Sequence, residues 1–215
     1  EMGQHSSDAA GGAWGYKPSL ETPEDFDKLS APEFRYSASK TAARRQQFEA
    51  VLGDVMPVRV KPQVGNGAFL CTTYAGLRGL ENLMLDTVLY PEFAHRLMRH
   101  ITDAKLRQLD AIEASELEHT NCDTPMHCSY PFGPEPVNGH YSLANMIMSA
   151  NSQEFDQVSP EAFKEFLLDY QKEVLDRFGR ACYGCCENLT HKMDLIINCL
   201  PNLRILTCSA WTDFE

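Results

Sequence analysis

Long apolar runs are missing from this sequence. Its unbroken apolar stretches, such as Leu195 to Ile197, are only a few residues long, whereas a membrane-spanning helix needs about 20. No basic segment followed by an apolar one marks an export signal near the N-terminus. Positive charge is scarce: 19 Lys and Arg stand against 30 Asp and Glu, a net charge of −11 at pH 7. A surface of that sign repels phosphate backbones, and no basic run is long enough to overcome it. The cluster Lys40, Arg44 and Arg45 reads as the solvated face of a helix. Nucleic acid and membrane are therefore not expected partners. Nucleotide-cradling glycine loops and the Gly-x-Ser-x-Gly elbow of serine hydrolases are absent, and Gly65-Asn66-Gly67 is read as a flexible loop. No repeat of fixed length occurs.

What remains is an ordinary globular composition. The 215 residues are 43% hydrophobic and 23% charged, enough for one domain of generous size with a real core. Eight cysteines are present. Three of them, Cys182, Cys185 and Cys186, crowd into five residues, which suits a framework of disulfide staples badly. A reduced, cytoplasmic protein is expected, with most thiols buried as small hydrophobes.

Residues 1–38 are rich in Gly, Ser and Pro and read as an irregular lead-in pinned by Trp14 and Tyr16. Ser39 is read as the cap of a helix running to about Leu52, with Gly53 as its stop. Pro57 to Lys61 alternates like a strand. Leu77, Leu80, Met84 and Val88 fall on one helical stripe, and Pro91 opens a second helix reaching Ile112. Strands are expected at Glu118–Asp123, Asn145–Ala150, Arg180–Cys185 and Leu203–Cys208. Ser159-Pro160-Glu161 is the clearest helix start, and Gly179 the stop. A further helix is expected on Leu189, Met193, Ile196, Ile197 and Leu200. Strands alternating with helices imply a parallel sheet with crossover helices.

The run from Ser159-Pro-Glu-Ala-Phe-Lys-Glu-Phe through Tyr170 and Arg177-Phe178-Gly179 leads into Ala181-Cys-Tyr-Gly-Cys-Cys-Glu187. It continues to Leu200-Pro-Asn-Leu-Arg204 and Cys208-Ser-Ala-Trp-Thr-Asp213. This run resembles the uroporphyrinogen decarboxylase-like superfamily, in particular its bacterial branch related to cobamide-dependent methyltransferases. Leu77-Arg-Gly-Leu-Glu81 and Tyr90-Pro-Glu92 look like that family too. The resemblance implies an α/β fold of the (β/α)8 TIM-barrel type, incomplete in this chain, with residues 39–215 forming the partial barrel and its site at the strand ends. It implies an enzyme, either a methyltransferase passing a methyl group between a corrinoid and a thiol, or a tetrapyrrole carboxy-lyase. A different class is a non-catalytic barrel that binds a tetrapyrrole or a partner subunit. Implied partners are a corrinoid protein or a small-molecule substrate, and a second copy of the chain in a homodimer.

The methyltransferase relatives hold zinc through His-x-Cys, where this chain has Tyr183-Gly184-Cys185. The candidate metal set is therefore Cys185, Cys186 and Glu187, since zinc accepts thiolate and carboxylate ligands. Alternation along a strand would turn Tyr183, Cys185 and Glu187 to one face, with Tyr183 against substrate. The plainer reading is a buried Cys pair beside a Glu that caps the next helix. His119, Cys122, Asp123, His127 and Cys128 form a second cluster whose spacing fits no standard zinc motif. Within it Asp123, at a strand end, and His127, in the following loop, are the candidate catalytic pair. Gln153 and Glu154 end another strand and are candidate substrate contacts. His95 and His100 lie on a helix as packing or surface residues.

Overall fold

The computed structural model describes residues 3–6, 14–58, 60, 67–114 and 142–214. Its sheet is built from three short segments, the first buried, the second buried past Arg180 and the third partly exposed. β3 (Ile147–Ala150), β4 (Arg180–Tyr183) and β5 (Leu203–Leu206) pair in parallel in that order. Gly67 adds an isolated parallel bridge to Ser149 beyond β3. Every residue of β3 is buried, as expected where both faces of a parallel sheet are covered. Alternation sends Met148, Ala150, Ala181 and Tyr183 into the main core, while Ile147 and Cys182 pack with Ile205 on the other face.

Helices supply the rest of the core. α4 (Pro91–Glu113) starts on Pro91 with Glu92 in its first turn, both favourable at a helix N-terminus. It buries Phe93, Ala94, Leu97, Met98, Ile101, Thr102 and Leu109, a stripe of helical period. Each large side chain fully buried in this way contributes roughly 1.5–3 kcal/mol. The Ser159 hydroxyl accepts from the Ala162 amide and caps α5 (Pro160–Phe163). A π-helical segment, Lys164–Leu168, joins α5 to α6 (Asp169–Leu175). Its wider turn puts three successive residues, Phe166, Leu167 and Leu168, into the core. Exposed pairs from Arg99 to Glu173 on α6, and from Arg177 just past its end to Asp110 and Glu113, link α4 to this part of the chain. Such pairs add little stability; the buried apolar stripe holds the helices together.

α2 (Leu70–Arg78) and α3 (Leu80–Leu89) are separated by Gly79, whose φ of 86° is a left-handed value that glycine adopts without strain. Between these helices Asp86 is buried and accepts from Tyr74 Oη, Arg78 Nε and Arg78 Nη2 at 2.9, 2.9 and 3.1 Å. The other Arg78 nitrogen reaches the carbonyls of Leu20 and Glu21 and so ties down that segment of the chain. α1 (Ala38–Leu52) is capped by Ser37, two residues before the expected cap, and buries none of its residues. Near the N-terminus, β1 (Gly3–Ser6) pairs antiparallel with β2 (Trp14–Lys17). α7 (Met193–Cys199) connects β4 to β5.

The barrel expectation is overturned. Among the described residues the parallel sheet has three strands, and a closed barrel takes eight. The alternation of strand and helix that suggested closure is a local signal common to open and closed sheets. Residues 57, 58 and 60 of the expected strand at Pro57–Lys61 are irregular, and the expected strand at Glu118–Asp123 lies outside the described residues. No helix among the described residues is long and apolar enough to cross a membrane.

Candidate functional site

Parallel strands present their carboxyl ends, and the loops leaving them, along one edge of the sheet; ligands of open α/β sheets bind there. Here the loops after β3, β4 and β5 converge on a pocket of about 420 Å³ lined by Gln153, Asp156, Cys186, Glu187, Asn188 and Trp211. That volume suits a small molecule.

The turn after β4 shapes this pocket. Gly184 donates to the Ala150 carbonyl at 2.9 Å, and Thr207 donates to the Tyr183 carbonyl at 2.7 Å. The three strand ends are thereby drawn together. A Cβ on Gly184 would lie 2.2 Å from the Thr207 carbonyl oxygen, and its φ of 98° is left-handed. Only glycine meets both conditions without strain. Its conformation also ends the strand's alternation, so β4 stops at Tyr183 and does not continue to Cys185 as expected.

Glu187 then fixes the turn. Its Oε1 accepts from the Ser152 amide at 2.7 Å and the Ser152 hydroxyl at 3.3 Å, and its Oε2 accepts from the Cys185 amide at 2.9 Å. Its own carbonyl accepts from the Ser209 hydroxyl at 2.9 Å. One residue thus ties the loops of all three strands, through hydrogen bonds that a carboxylate makes strong. Asp156 performs a similar service at the pocket wall, accepting from the Asn188 amide at 2.7 Å. Lys192 donates to the Phe155 and Asp156 carbonyls from behind.

Two thiols are displayed on this frame. Cys186 is exposed, Cys185 half-buried, and their sulfurs are 3.5 Å apart. Burial pushes the Cys185 thiol up, reinforced by the hydrogen bond to Cys186 and the charge of Glu187. On the neighbouring strand end Cys208 is pushed up as well, by burial and then by Glu187. These two thiols therefore keep their protons at neutral pH.

The remaining predicted site residues divide. Gln153 lines the pocket with Cys186 and Glu187. Tyr183 does not face substrate: it is fully buried, packs edge-on against Phe163 and donates to Gln171 Oε1 at 2.7 Å. Gln171 passes that link on to the Asn151 and Ala68 carbonyls. Tyr183 therefore faces the core, because the pleat that points it inward ends at Gly184. Glu154 is not among the lining residues; its buried Oε2 has no hydrogen-bond partner among the described residues. Asp123 and His127 lie outside the described residues.

Comparison with family models, with curated proteins and with solved structures returns no match.

The zinc set expected from Cys185, Cys186 and Glu187 finds a poor fit in this geometry. Both Glu187 oxygens already serve as acceptors within the chain, leaving two thiols where a catalytic zinc takes three protein ligands. Among the described residues no three His, Cys, Asp or Glu side chains group as a metal site. Asp156, Asn188 and Trp211 were missed from the sequence. Their signal was position: each follows closely on the carboxyl end of a strand.

Proposed function

We propose that the pocket at the carboxyl edge of the sheet is the active site of an enzyme that transfers a methyl group between a corrinoid and a thiol or similar acceptor. The observation that carries this reading is the Cys186 thiol, backed by Cys185, open to a small-molecule pocket. Support also comes from the sequence. The segment Ala181–Glu187, which builds this turn, lies within residues 159–213, the part of the chain that most closely resembles the uroporphyrinogen decarboxylase-like superfamily. It keeps the Cys of that family's His-x-Cys as Cys185, while Tyr183 stands in place of the His.

In this reading Gln153 and Asn188 offer amide groups to the acceptor, and Trp211 covers one side of it. Glu187 positions the thiols through the Cys185 amide. The chemistry a corrinoid would supply, when bound, is a methyl group that leaves without the electron pair of its bond. The acceptor sulfur gains a bond to carbon, and its proton passes by way of the Cys186 sulfur at the pocket wall to water. The pocket encloses only the acceptor, and a macrocycle approaches at its mouth. Zinc carries no step here. The acidic wall formed by Asp156 and Glu187 repels a polycarboxylate tetrapyrrole, which weighs against decarboxylation.

The test is anaerobic incubation of the protein with methylcobalamin and a panel of small thiols, following cobalamin absorbance and the methylated thiol by mass spectrometry. Methylated thiol formed faster than in protein-free controls is the expected result. A rate equal to the control for every acceptor contradicts the proposal. Zinc content, measured beside Cys185→Ser, checks the ligand set: about one zinc per chain, lost in the variant, would show that the thiols recruit a metal by rearranging Glu187.

A further inference from the structure

The Cys185–Cys186 pair has a property that methyl transfer does not use. Its two sulfurs, on adjacent residues, already touch at 3.5 Å, and one of them is open to solvent. A disulfide bond is about 2.0 Å long, so closing the pair takes a movement of about 1.5 Å. The residues around it, 184–188, belong to no helix or strand ladder, so the small twist breaks no regular hydrogen bonding. The adjacent frame holds: Glu187 grips the Cys185 amide rather than its sulfur.

We propose that Cys185 and Cys186 are a redox modification site that closes reversibly into a disulfide between neighbours in sequence, with a hydroperoxide as oxidant. The exposed Cys186 sulfur attacks a peroxide oxygen; a sulfur–oxygen bond forms, the oxygen–oxygen bond breaks, and the leaving hydroxide takes the thiol proton as water. The Cys185 sulfur then attacks Cys186; the sulfur–sulfur bond forms, the sulfur–oxygen bond breaks, and a second water leaves with the Cys185 proton. Two thiols lose two electrons and the peroxide gains them. Adjacent α-carbons are about 3.8 Å apart, closer than disulfides prefer, and such strained bridges are the readily reduced ones. A small dithiol therefore reopens the pair. Closure removes the Cys186 thiol from the pocket wall, and with it the group that the proposed chemistry needs.

This inference goes beyond methyl transfer and fails separately, because the peroxide reaction requires no methyl donor. The full chain is treated with stoichiometric hydrogen peroxide and its intact mass recorded before and after a dithiol reductant. The expected result is loss of two hydrogen atoms, restored on reduction, with the linkage in the tryptic peptide covering residues 181–192. That peptide also contains Cys182, which is buried beside the Thr207 hydroxyl at 3.7 Å. Cys182→Ser is expected to retain the loss, while Cys185→Ser and Cys186→Ser abolish it. In Cys185→Ser the sulfenic acid on Cys186 should be trapped by dimedone, which also shows that the folded site still reacts. Loss of two hydrogens persisting in Cys186→Ser, or its disappearance in Cys182→Ser, overturns the proposal. So does direct passage of the wild-type thiols to sulfinic acid.

Discussion

Asp86 and Glu187 are carboxylates with 0% and 3% exposure, and each accepts three hydrogen bonds. Their partners differ. Asp86 is closed in by the Arg78 guanidinium and the Tyr74 hydroxyl, so its charge is neutralised within a helical layer. Glu187 takes two main-chain amides and a hydroxyl from two loops, and one side of it borders a pocket. A buried charge matched by its counter-ion is a device of architecture. A buried carboxylate that gathers loops at a sheet edge, beside an exposed thiol, is a device for positioning chemistry.

Substitutions separate the two. The largest effect on stability is expected from Arg78→Met, which leaves Asp86 buried without its cation; removing one partner of such a pair costs about 3–5 kcal/mol. Urea denaturation should show it, with thiol reactivity at the pocket unchanged wherever the variant is folded. Gly184→Ala comes next, at about 3 kcal/mol for a left-handed residue whose new methyl meets a carbonyl. Unlike Arg78→Met, it should also displace the Cys186 thiol, so stability and alkylation rate change together. Glu187→Gln is expected to cost about 1–3 kcal/mol, since its amide nitrogen cannot accept the bond that the carboxylate took. Cys186→Ser should change stability by less than about 0.5 kcal/mol, as an exposed substitution does, while removing the pocket's most accessible thiol. If Cys186→Ser destabilised the fold as much as Glu187→Gln, the division between frame and displayed group would be wrong.

Local signals were legible in the sequence where local physics decides. The Ser159 cap and the Pro91 helix start act within a few residues, and α5 and α4 follow from them; β3 and β4 lie inside the strands expected at Asn145–Ala150 and Arg180–Cys185. The pocket thiols and Gln153 were singled out by the family resemblance, which puts site residues at strand ends, and not by local physics alone. Tyr183 was misread because the face argument assumed that the strand continued, and a left-handed glycine ended it. Asp156, Asn188 and Trp211 come together only through three strands paired across 55 residues and more, from Asp156 to Trp211. The barrel expectation failed at the same level: strand count and closure are properties of long-range pairing, which alternation in sequence does not encode.

The most direct test of the account is the rate of methyl transfer from methylcobalamin to a small thiol by Cys186→Ser, at unchanged circular dichroism. The account predicts that the rate falls to the protein-free background while the fold stays intact. A wild-type rate in that variant would contradict it, and would place the chemistry away from the carboxyl edge of the sheet.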